Sequence, residues 1–273
     1  MDNERPRIVA VYATLMLALG TAFAAALVFG AVRLPASTAL RPLLAVAGAD
    51  DMEATIARLR LVRACLAAAV GASLAVSGAV FQGLFRNPLA DPYVIGSSGG
   101  AAFGAVCAIA FGTVSGALGF SAVGLAAFAG GIAATLVVYL VAGATRLSSD
   151  ATNLLLAGTA LGSLFSALVS IVLALKDKDL HQAWFWLLGG FSGRGLPELA
   201  ASAPAMLAGL VAAMASSRSL DLLSVGDEEA TSLGMRPVRT RFIVGGFAAL
   251  SVSAAVALAG AIGFVGLVSP HLP

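Results

Sequence analysis

The most informative polar side chains in this sequence are three consecutive acids, residues 227–229. Ser224 stands three positions before the first acid, which is the spacing of a capping box, and Gly234 followed by Pro237 is typical of a helix end. Acids in a first helical turn are also favoured by the helix macrodipole. The pattern predicts a short helix over residues 227–233, which is either a solvated loop helix or a lever that docks on another protein.

A second group of candidates is a basic cluster in the first half of the chain. Arg58, Arg60 and Arg63 precede a long apolar run and lie at its mouth. Two interpretations stay open. The arginines snorkel to the membrane interface, or they form a docking site for an acidic partner.

His181 is the only candidate metal ligand near the aromatic pair Trp184 and Trp186. Paired tryptophans are typical of an interfacial anchor, and haem or iron ligation by a lone histidine is the alternative. The two cysteines do not have metal-ligand spacing and are expected to be small packing residues, so we expect no metal site. The sequence offers no candidate catalytic residue. The only lysines, Lys176 and Lys178, do not follow a glycine-rich phosphate loop, so we expect no cofactor and no ATP hydrolysis by this chain.

The elements that position these residues must be membrane helices. Of the 273 residues, 59% are hydrophobic and 11% are charged, against about 25% charged in a soluble domain. Apolar runs long enough to cross a bilayer cover residues 8–30, 64–85, 93–145 (two helices with a turn near 112–119), 151–175, 199–217 and 242–270. A net charge of +2 without a basic stripe gives no indication of a nucleic-acid partner.

The orientation of these helices does not follow from charge bias. The 16 lysines and arginines divide into eight on each side of the predicted membrane. The charged first seven residues resemble a cytoplasmic anchor, so we expect the N-terminus in the cytoplasm.

Three blocks of sequence resemble a known family. Residues 229–234 (EATSLG) resemble the E-A-x-x-x-G coupling signature of ABC importer permeases. Residues 77–92 (SGAVFQGLFRNPLADP) and 259–271 (AGAIGFVGLVSPH) are similar to two blocks of the FecCD family, the type II permeases for ferric siderophores, haem and vitamin B12. Because all three occur in the family's order, the chain is identified as a member.

The resemblance implies an all-α, polytopic bundle of the ten-helix type II permease fold. It implies a homodimer in the inner membrane with the pathway at the dimer interface, two ATP-binding cassette subunits below and a periplasmic substrate-binding protein above. We expect one transmembrane permease domain over residues 1–273, with a coupling helix at about 224–236. About seven and a half of the ten helices are present, so a C-terminal truncation is expected.

The resemblance also implies roles for individual residues. Arg60 and Arg63 match family arginines that pair with the binding protein, whereas Arg58 has no counterpart. Asn87 and Leu89 fall at the cytoplasmic gate, which Ser148, Ser149 and Thr152 would join; alternatively Asn87 only caps the next helix. The residues implied to couple the ATPase are Asp227, Glu228, Glu229, Ala230, Leu233 and Gly234.

The sequence therefore predicts the permease subunit of an ABC importer for a metal chelate. A ferric siderophore is favoured, and haem or vitamin B12 is also open. One alternative is a secondary transporter driven by an ion gradient, which would need ionisable residues inside the membrane; the apolar runs contain no charged residue. Another is a non-functional truncated permease, which would not assemble with an ATPase.

Overall fold

A computed structural model describes residues 4–40, 52–112, 121–144, 151–176 and 180–272. Every α-helical element in these ranges is numbered in chain order: α1 (Glu4–Val28), α2 (Ala36–Leu40), α3 (Met52–Phe85), α4 (Ser97–Phe111), α5 (Ala122–Ala144), α6 (Ala151–Leu175), α7 (Leu180–Leu187), α8 (Leu196–Ala215), α9 (Ser217–Val225), α10 (Asp227–Ser232), α11 (Pro237–Ala259) and α12 (Val265–Val268). Two 3₁₀ turns cover Pro92–Ile95 and Ser269–His271. The predicted all-helical fold is confirmed.

Six helices in the described part of the chain are long and apolar enough to cross a membrane, namely α1, α3, α5, α6, α8 and α11. α4 is apolar but has only 15 residues, which at 1.5 Å per residue fall short of a hydrocarbon core of about 30 Å. The prediction of a multi-pass membrane protein is therefore confirmed.

Two predicted helix boundaries differ from the observed ones by more than ten residues. The second apolar run was expected to begin at Ala64, but α3 begins at Met52 and carries the arginine cluster on its first turns. The last run was expected to continue to Pro270, but α11 ends at Ala259 because Gly260 adopts a φ of +74°. Hydropathy detects the apolar environment and not the helix end, so it misses charged helical turns outside the membrane and breaks inside it.

The described chain divides into two compact units, and the first is Met1–Ala68. A small apolar cluster joins its helices through Leu34, Ala39 and Ala57. Along α1, apolar side chains such as Met16 and Leu17 are exposed. We expect this apolar face to contact lipid, as membrane helices do.

The second unit, Ala69–Leu272, has α11 as its central helix. Every residue of α11 from Ser251 to Ala259 is buried. α4 and α5 approach closely, because a Cβ atom added at Gly100 would collide with the carbonyl oxygen of Gly130. Small residues at such crossings let membrane helices pack backbone to backbone. Gly104 packs in the same way, since a Cβ atom there would collide with the carbonyl oxygen of Ala126.

Candidate functional site

The predicted cytoplasmic helix is present as α10, with a different N-terminus from the one expected. Ser224 does not cap it, since the Ser224 hydroxyl donates to Asp221 O at 2.6 Å and the N-cap is Gly226. Gly226 has a φ of +150°, and a Cβ atom there would collide with the Glu229 carboxylate. The predicted capping box is therefore wrong, because the chain enters the helix through a backbone conformation that favours glycine.

The predicted C-terminal cap at Gly234 is confirmed. Gly234 has a φ of +85°. Its N–H donates to Thr231 O at 2.9 Å, and the N–H of Met235 donates to Ala230 O at 3.0 Å. This pair of hydrogen bonds is the Schellman motif, which satisfies the last helical carbonyls and turns the chain toward α11.

Asp227, the first acid of α10, binds two arginines of its own chain. Arg241 Nη1 donates to Asp227 Oδ2 at 2.6 Å and Arg241 Nη2 donates to Oδ1 at 2.7 Å. Arg86 Nη2 donates to Oδ1 at 3.0 Å. Hydrogen bonding from Arg241 is the main cause that holds the pKa of Asp227 below its ordinary value, against a smaller opposing effect of burial.

Arg241 anchors this network inside the protein. Its side chain is 2% exposed, and its Nε donates to Leu84 O at 3.2 Å. The Tyr139 hydroxyl donates to Arg241 O at 3.1 Å. A buried guanidinium must be paired to be tolerated, so Asp227 is the counter-ion that this position of α11 requires.

Arg86 directly follows α3 and has an unusual backbone conformation. Its φ is +49°, a left-handed value that is uncommon for residues other than glycine. The N–H of Asn87 donates to Gln82 O at 3.2 Å across this turn. The turn aims the Arg86 side chain at Asp227, so one carboxylate joins α10 to the end of α3 and to the start of α11.

The remaining predicted coupling residues divide between two faces of α10. Ala230 is buried, whereas Glu228, Glu229, Leu233 and Gly234 are exposed. The exposed face therefore carries two carboxylates and an apolar side chain. This combination is available to a partner protein, while Asp227 and Ala230 face the chain itself.

The two other family-like blocks of sequence lie against each other. Gln82 Nε2 donates to Leu267 O at 3.2 Å, and a Cβ atom at Gly78 would collide with Gly266 O. The His271 ring donates from Nε2 to Pro88 O at 3.0 Å. Arg86 of one of these blocks also binds Asp227, the first residue of α10, and α10 carries most of the third block.

The predicted gate residues occupy a turn after α3. Asn87 is half-buried, and its Oδ1 accepts from Leu89 N at 2.9 Å. The alternative that Asn87 caps the next helix is wrong, since Asp91 Oδ1 caps the following 3₁₀ turn by accepting from Tyr93 N at 2.9 Å. Leu89 is 73% exposed. Ser148 and Ser149 lie outside the described residues, and Thr152 is exposed at the start of α6.

Arg60 has a partner that the sequence did not predict. Its Nη1 donates to Leu27 O at 2.9 Å and to Val28 O at 2.8 Å, and its Nη2 donates to Val32 O. The last carbonyls of a helix lack partners and carry the negative end of the macrodipole. Arg60 therefore caps the C-terminus of α1, whereas Arg63 and Arg58 are exposed.

The two tryptophans of α7 occupy different environments. Trp184 is 55% exposed and Trp186 is 9% exposed. His181 is exposed, and no group of three His, Cys, Asp or Glu side chains that could hold a metal ion occurs among the residues the structure describes.

A polar stripe on α6 is a feature that the sequence analysis missed. Thr159, Ser163, Ser166 and Ser170 are exposed at helical spacing on a membrane helix. The hydroxyls of Thr159, Ser163 and Ser170 donate back to carbonyls of α6 itself. Three residues of the stripe also line an open cavity of about 540 Å³. Hydroxyls recurring every three to four residues in a membrane helix are the signal that marks this face.

Comparisons with known proteins show the family that the chain resembles over most of its length. The sequence model of the FecCD transport family matches residues 16–273. The chain is 40% identical over 222 residues to the cobalamin import system permease protein BtuC of Halobacterium salinarum, which covers 81% of this chain and 59% of that protein. It is 38% identical over 216 residues to the vitamin B12 import system permease protein BtuC of Shigella flexneri, which covers 79% of this chain and 64% of that protein.

A solved structure has a fold similar to that of this chain. It is described as an inward-facing conformation of a metal-chelate type ABC transporter, and it superposes on this chain with a TM-score of 0.78 at 32% identity. The superposition covers 95% of this chain and 78% of the other. The curated relatives are longer, and the chain spans about 60% of their length.

Proposed function

Because the chain belongs to the FecCD transport family, we propose that it is the membrane-spanning permease subunit of an ABC importer. The observation that carries the proposal is the attachment of α10 to two membrane helices through Asp227, with Glu228 and Glu229 left exposed. A partner protein can displace a helix that is held in this way, and the helix then transmits the displacement to the transport pathway. The chain itself supplies no ATP hydrolysis, so an ATP-binding cassette subunit drives the transport.

The proposed mechanism uses α10 as the coupling helix. Closure of the ATPase subunits displaces the exposed face of α10, which carries Glu229 and Leu233. Asp227 transmits this displacement to Arg86 at the end of α3 and to Arg241 at the start of α11. Because ion-paired and hydrogen-bonded elements move as one body, the ends of α3 and α11 shift with α10 and alternate the access of the pathway.

The cargo that we propose is a corrinoid or another metal chelate. The BtuC relatives are named for cobalamin and vitamin B12 import, and the superposed structure is described as a metal-chelate type transporter. These names favour a corrinoid over the ferric siderophore that the sequence analysis favoured. Haem is also a metal chelate and therefore belongs to the proposed class of cargo.

A second copy of the chain is the partner that we propose for α6. Three hydroxyls of the stripe donate within α6, but their oxygen atoms keep acceptor sites that lipid does not satisfy. Two facing stripes with water between them would form a polar pathway at the interface of a homodimer. We further propose that Arg63 contacts an acidic surface of a substrate-binding protein outside the inner membrane, with the N-terminus of the chain in the cytoplasm.

Assembly with an ATPase tests the proposal. The chain is co-expressed with an ATP-binding subunit that a neighbouring gene encodes, and it is purified through an affinity tag on the chain. We expect the ATPase to co-purify with the wild type and with Asp221→Lys, a charge reversal on an exposed acid of α9, and to be recovered in smaller amount with Glu229→Lys. Absence of the ATPase from the wild-type preparation would instead favour the secondary transporter or the non-functional truncated permease.

A further inference from the structure

Two irregular segments of the second compact unit lie side by side. The turn segment, residues 86–93, follows α3, and the break segment, residues 262–271, follows the end of α11. Three pairs of residues join them. The pairs are Pro88 with His271, Pro92 with Gly266, and Tyr93 with Ile262. The order of these pairs shows that the two segments run in opposite directions and are joined along their whole length.

The Tyr93 hydroxyl joins one end of the pair of segments. It donates to Ile262 O and accepts from Ile262 N at 2.9 Å. Ile262 lies between α11 and α12 and belongs to neither helix. Backbone outside a helix must find its hydrogen bonds elsewhere in the protein where water is scarce. Tyr93 thus satisfies both backbone groups of Ile262 and fixes the start of the break segment.

The His271 ring joins the other end. Its Nε2 lies 3.0 Å from Pro88 O. A carbonyl oxygen can only accept, so Nε2 carries the hydrogen of this bond. Between the two ends the packing is tight, because a Cβ atom at Gly266 would collide with the Pro92 ring and with Leu74 O. Close-packed groups of this kind transmit a displacement instead of absorbing it.

The turn segment has α10 at its first residue and a cavity at its last. Arg86 Nη2 donates to Asp227 Oδ1 of α10 at 3.0 Å. Tyr93 lines the open cavity of about 540 Å³ beside α6. A short turn alone would absorb a displacement of Arg86 through its own backbone dihedral angles, as a hinge does. The break segment removes this freedom, because it holds the turn at Pro88 and again at Tyr93.

We propose that the turn segment and the break segment move as one rigid body, which carries the displacement of α10 to the wall of the cavity beside α6. Tyr93 and His271 are the positioning residues of this body, since they act by holding the two segments together. The proposal rests on the proposed coupling function of α10. It adds a route to the cavity, which Asp227 itself does not contact.

Mobility of the turn segment tests the rigid body on the chain alone. Both native cysteines are replaced with alanine, and a nitroxide label is attached to Leu89→Cys, because Leu89 belongs to the turn segment and is 73% exposed. Electron paramagnetic resonance spectra in detergent report the motion of the label. We expect faster motion in His271→Phe. We expect wild-type motion in His271→Gln, whose amide nitrogen can again donate to Pro88 O.

A matched histidine and a second variant complete this measurement. His181→Phe replaces an exposed histidine of α7 outside both segments and should leave the spectrum unchanged. Tyr93→Phe removes only a hydroxyl, so it serves if His271→Phe does not fold, and it should also increase the motion. Wild-type motion in both Tyr93→Phe and His271→Phe, or no recovery in His271→Gln, would overturn the rigid body. No ATPase is needed, so this result does not depend on the importer function.

Reactivity of the cavity tests the transmission in the complex with the ATP-binding subunit. Ser163→Cys places a thiol in the cavity wall, and its rate of reaction with a water-soluble maleimide is measured with and without ATP. We expect ATP to change this rate. The change should be about two- to tenfold smaller in Tyr93→Phe, the factor that corresponds to a lost hydrogen bond. Tyr12→Phe, on an exposed tyrosine of α1, should keep the full change.

The outcomes separate this proposal from the proposed function. An undiminished effect of ATP in both Tyr93→Phe and His271→Phe would overturn the transmission and leave the importer function in place. Absence of an ATP effect in the wild-type background, with the ATPase still co-purifying, would do the same. Failure of the ATPase to co-purify would contradict the proposed function, and the transmission that rests on it would be overturned as well.

Discussion

Arg241 carries a buried charge, and a buried charge needs an oppositely charged partner. Its guanidinium is almost fully buried at the start of a membrane helix, and Asp227 meets it with both carboxylate oxygens. Removing one partner of such a pair leaves the other charge uncompensated. At the residue scale, Asp227 is therefore a positioning residue that holds α10 in place, and its exposed neighbours Glu228 and Glu229 are the acids available to a partner.

Replacing Asp227 with Asn should destabilise the protein. The amide keeps the shape of the side chain but loses the charge, and hydrogen bonds to charged groups contribute about 1.5–3 kcal/mol. We expect a loss of this size in the free energy of unfolding, measured by denaturant titration in detergent. Glu228→Gln is the matched control, since Glu228 is exposed, and should change the free energy by less than about 0.5 kcal/mol. Equal stability of the two variants would show that the ion pairs do not hold α10.

The lowered pKa of Asp227 predicts a dependence of stability on pH. The unfolded carboxyl titrates near its ordinary value, whereas in the folded protein the hydrogen bond from Arg241 keeps it ionised to lower pH. The stabilisation is therefore fully present above about pH 4–5 and is lost as the pH falls through the lowered pKa. Unfolding midpoints measured between pH 3 and pH 7 should fall more steeply for the wild type than for Asp227→Asn.

The two arginines implied to dock a binding protein should behave differently. Arg60→Gln removes hydrogen bonds to the end of α1 and should lower stability by about 1–3 kcal/mol. Arg63→Glu reverses an exposed charge, so it should leave stability unchanged and weaken binding-protein affinity more at low salt than at high salt. Affinity measured by surface plasmon resonance at two salt concentrations checks this. Unchanged affinity of Arg63→Glu at low salt would contradict the docking role.

Whether the sequence predicts the contacts of these residues depends on how far apart the two partners lie along the chain. Gly234 was predictable as a helix cap, because a cap is a local pattern. The contact between Arg86 and Asp227 was not predictable, since 141 positions separate the two residues. The same reason hid the contact of Arg60 with Leu27, which lies 33 positions away.

At the element scale, the first and last residues of a helix are predicted well where charged residues border its apolar run on both sides. The bounds of α6 match the predicted run at residues 151–175, because charged segments border it on both sides. α3 begins earlier than predicted because its first turns carry arginines and leave the apolar segment. The end of α11 at Gly260 has apolar residues on both sides, so only backbone conformation marks it.

The crossing of α3 with the segment around α12 gives a prediction at this scale. A Cβ atom at Gly78 would collide with the backbone oxygen of Gly266, which has no freedom to move aside as a side chain would. Gly78→Ala should therefore lower the free energy of unfolding by about 1–3 kcal/mol through overpacking. Gly71→Ala on the same helix has open space at the added Cβ. It should be neutral or stabilising by up to about 1 kcal/mol. Thermal unfolding in detergent compares the two, and equal midpoints would contradict the close packing.

At the scale of the whole molecule, the three family-like blocks form one connected region within the second unit. α10 binds α3 and α11 through Asp227, and the end of α3 contacts the segment around α12 through Gln82 and His271. A displacement of α10 therefore reaches two membrane helices, α3 and α11, through direct contacts. The proposed importer depends on this connection, since the energy of ATP hydrolysis enters at one end and the cargo moves at the other.

The most direct test of the account measures uptake and ATP hydrolysis together. The chain is reconstituted in proteoliposomes with its ATP-binding subunit and binding protein, and cargo uptake per ATP hydrolysed is compared between Glu229→Lys and Asp221→Lys. Coupling free energies between sites correspond to factors of about 5–150, so we expect uptake per ATP to fall by such a factor in Glu229→Lys and to stay at the wild-type level in Asp221→Lys. Wild-type uptake per ATP in Glu229→Lys would contradict the assignment of α10 as the coupling helix.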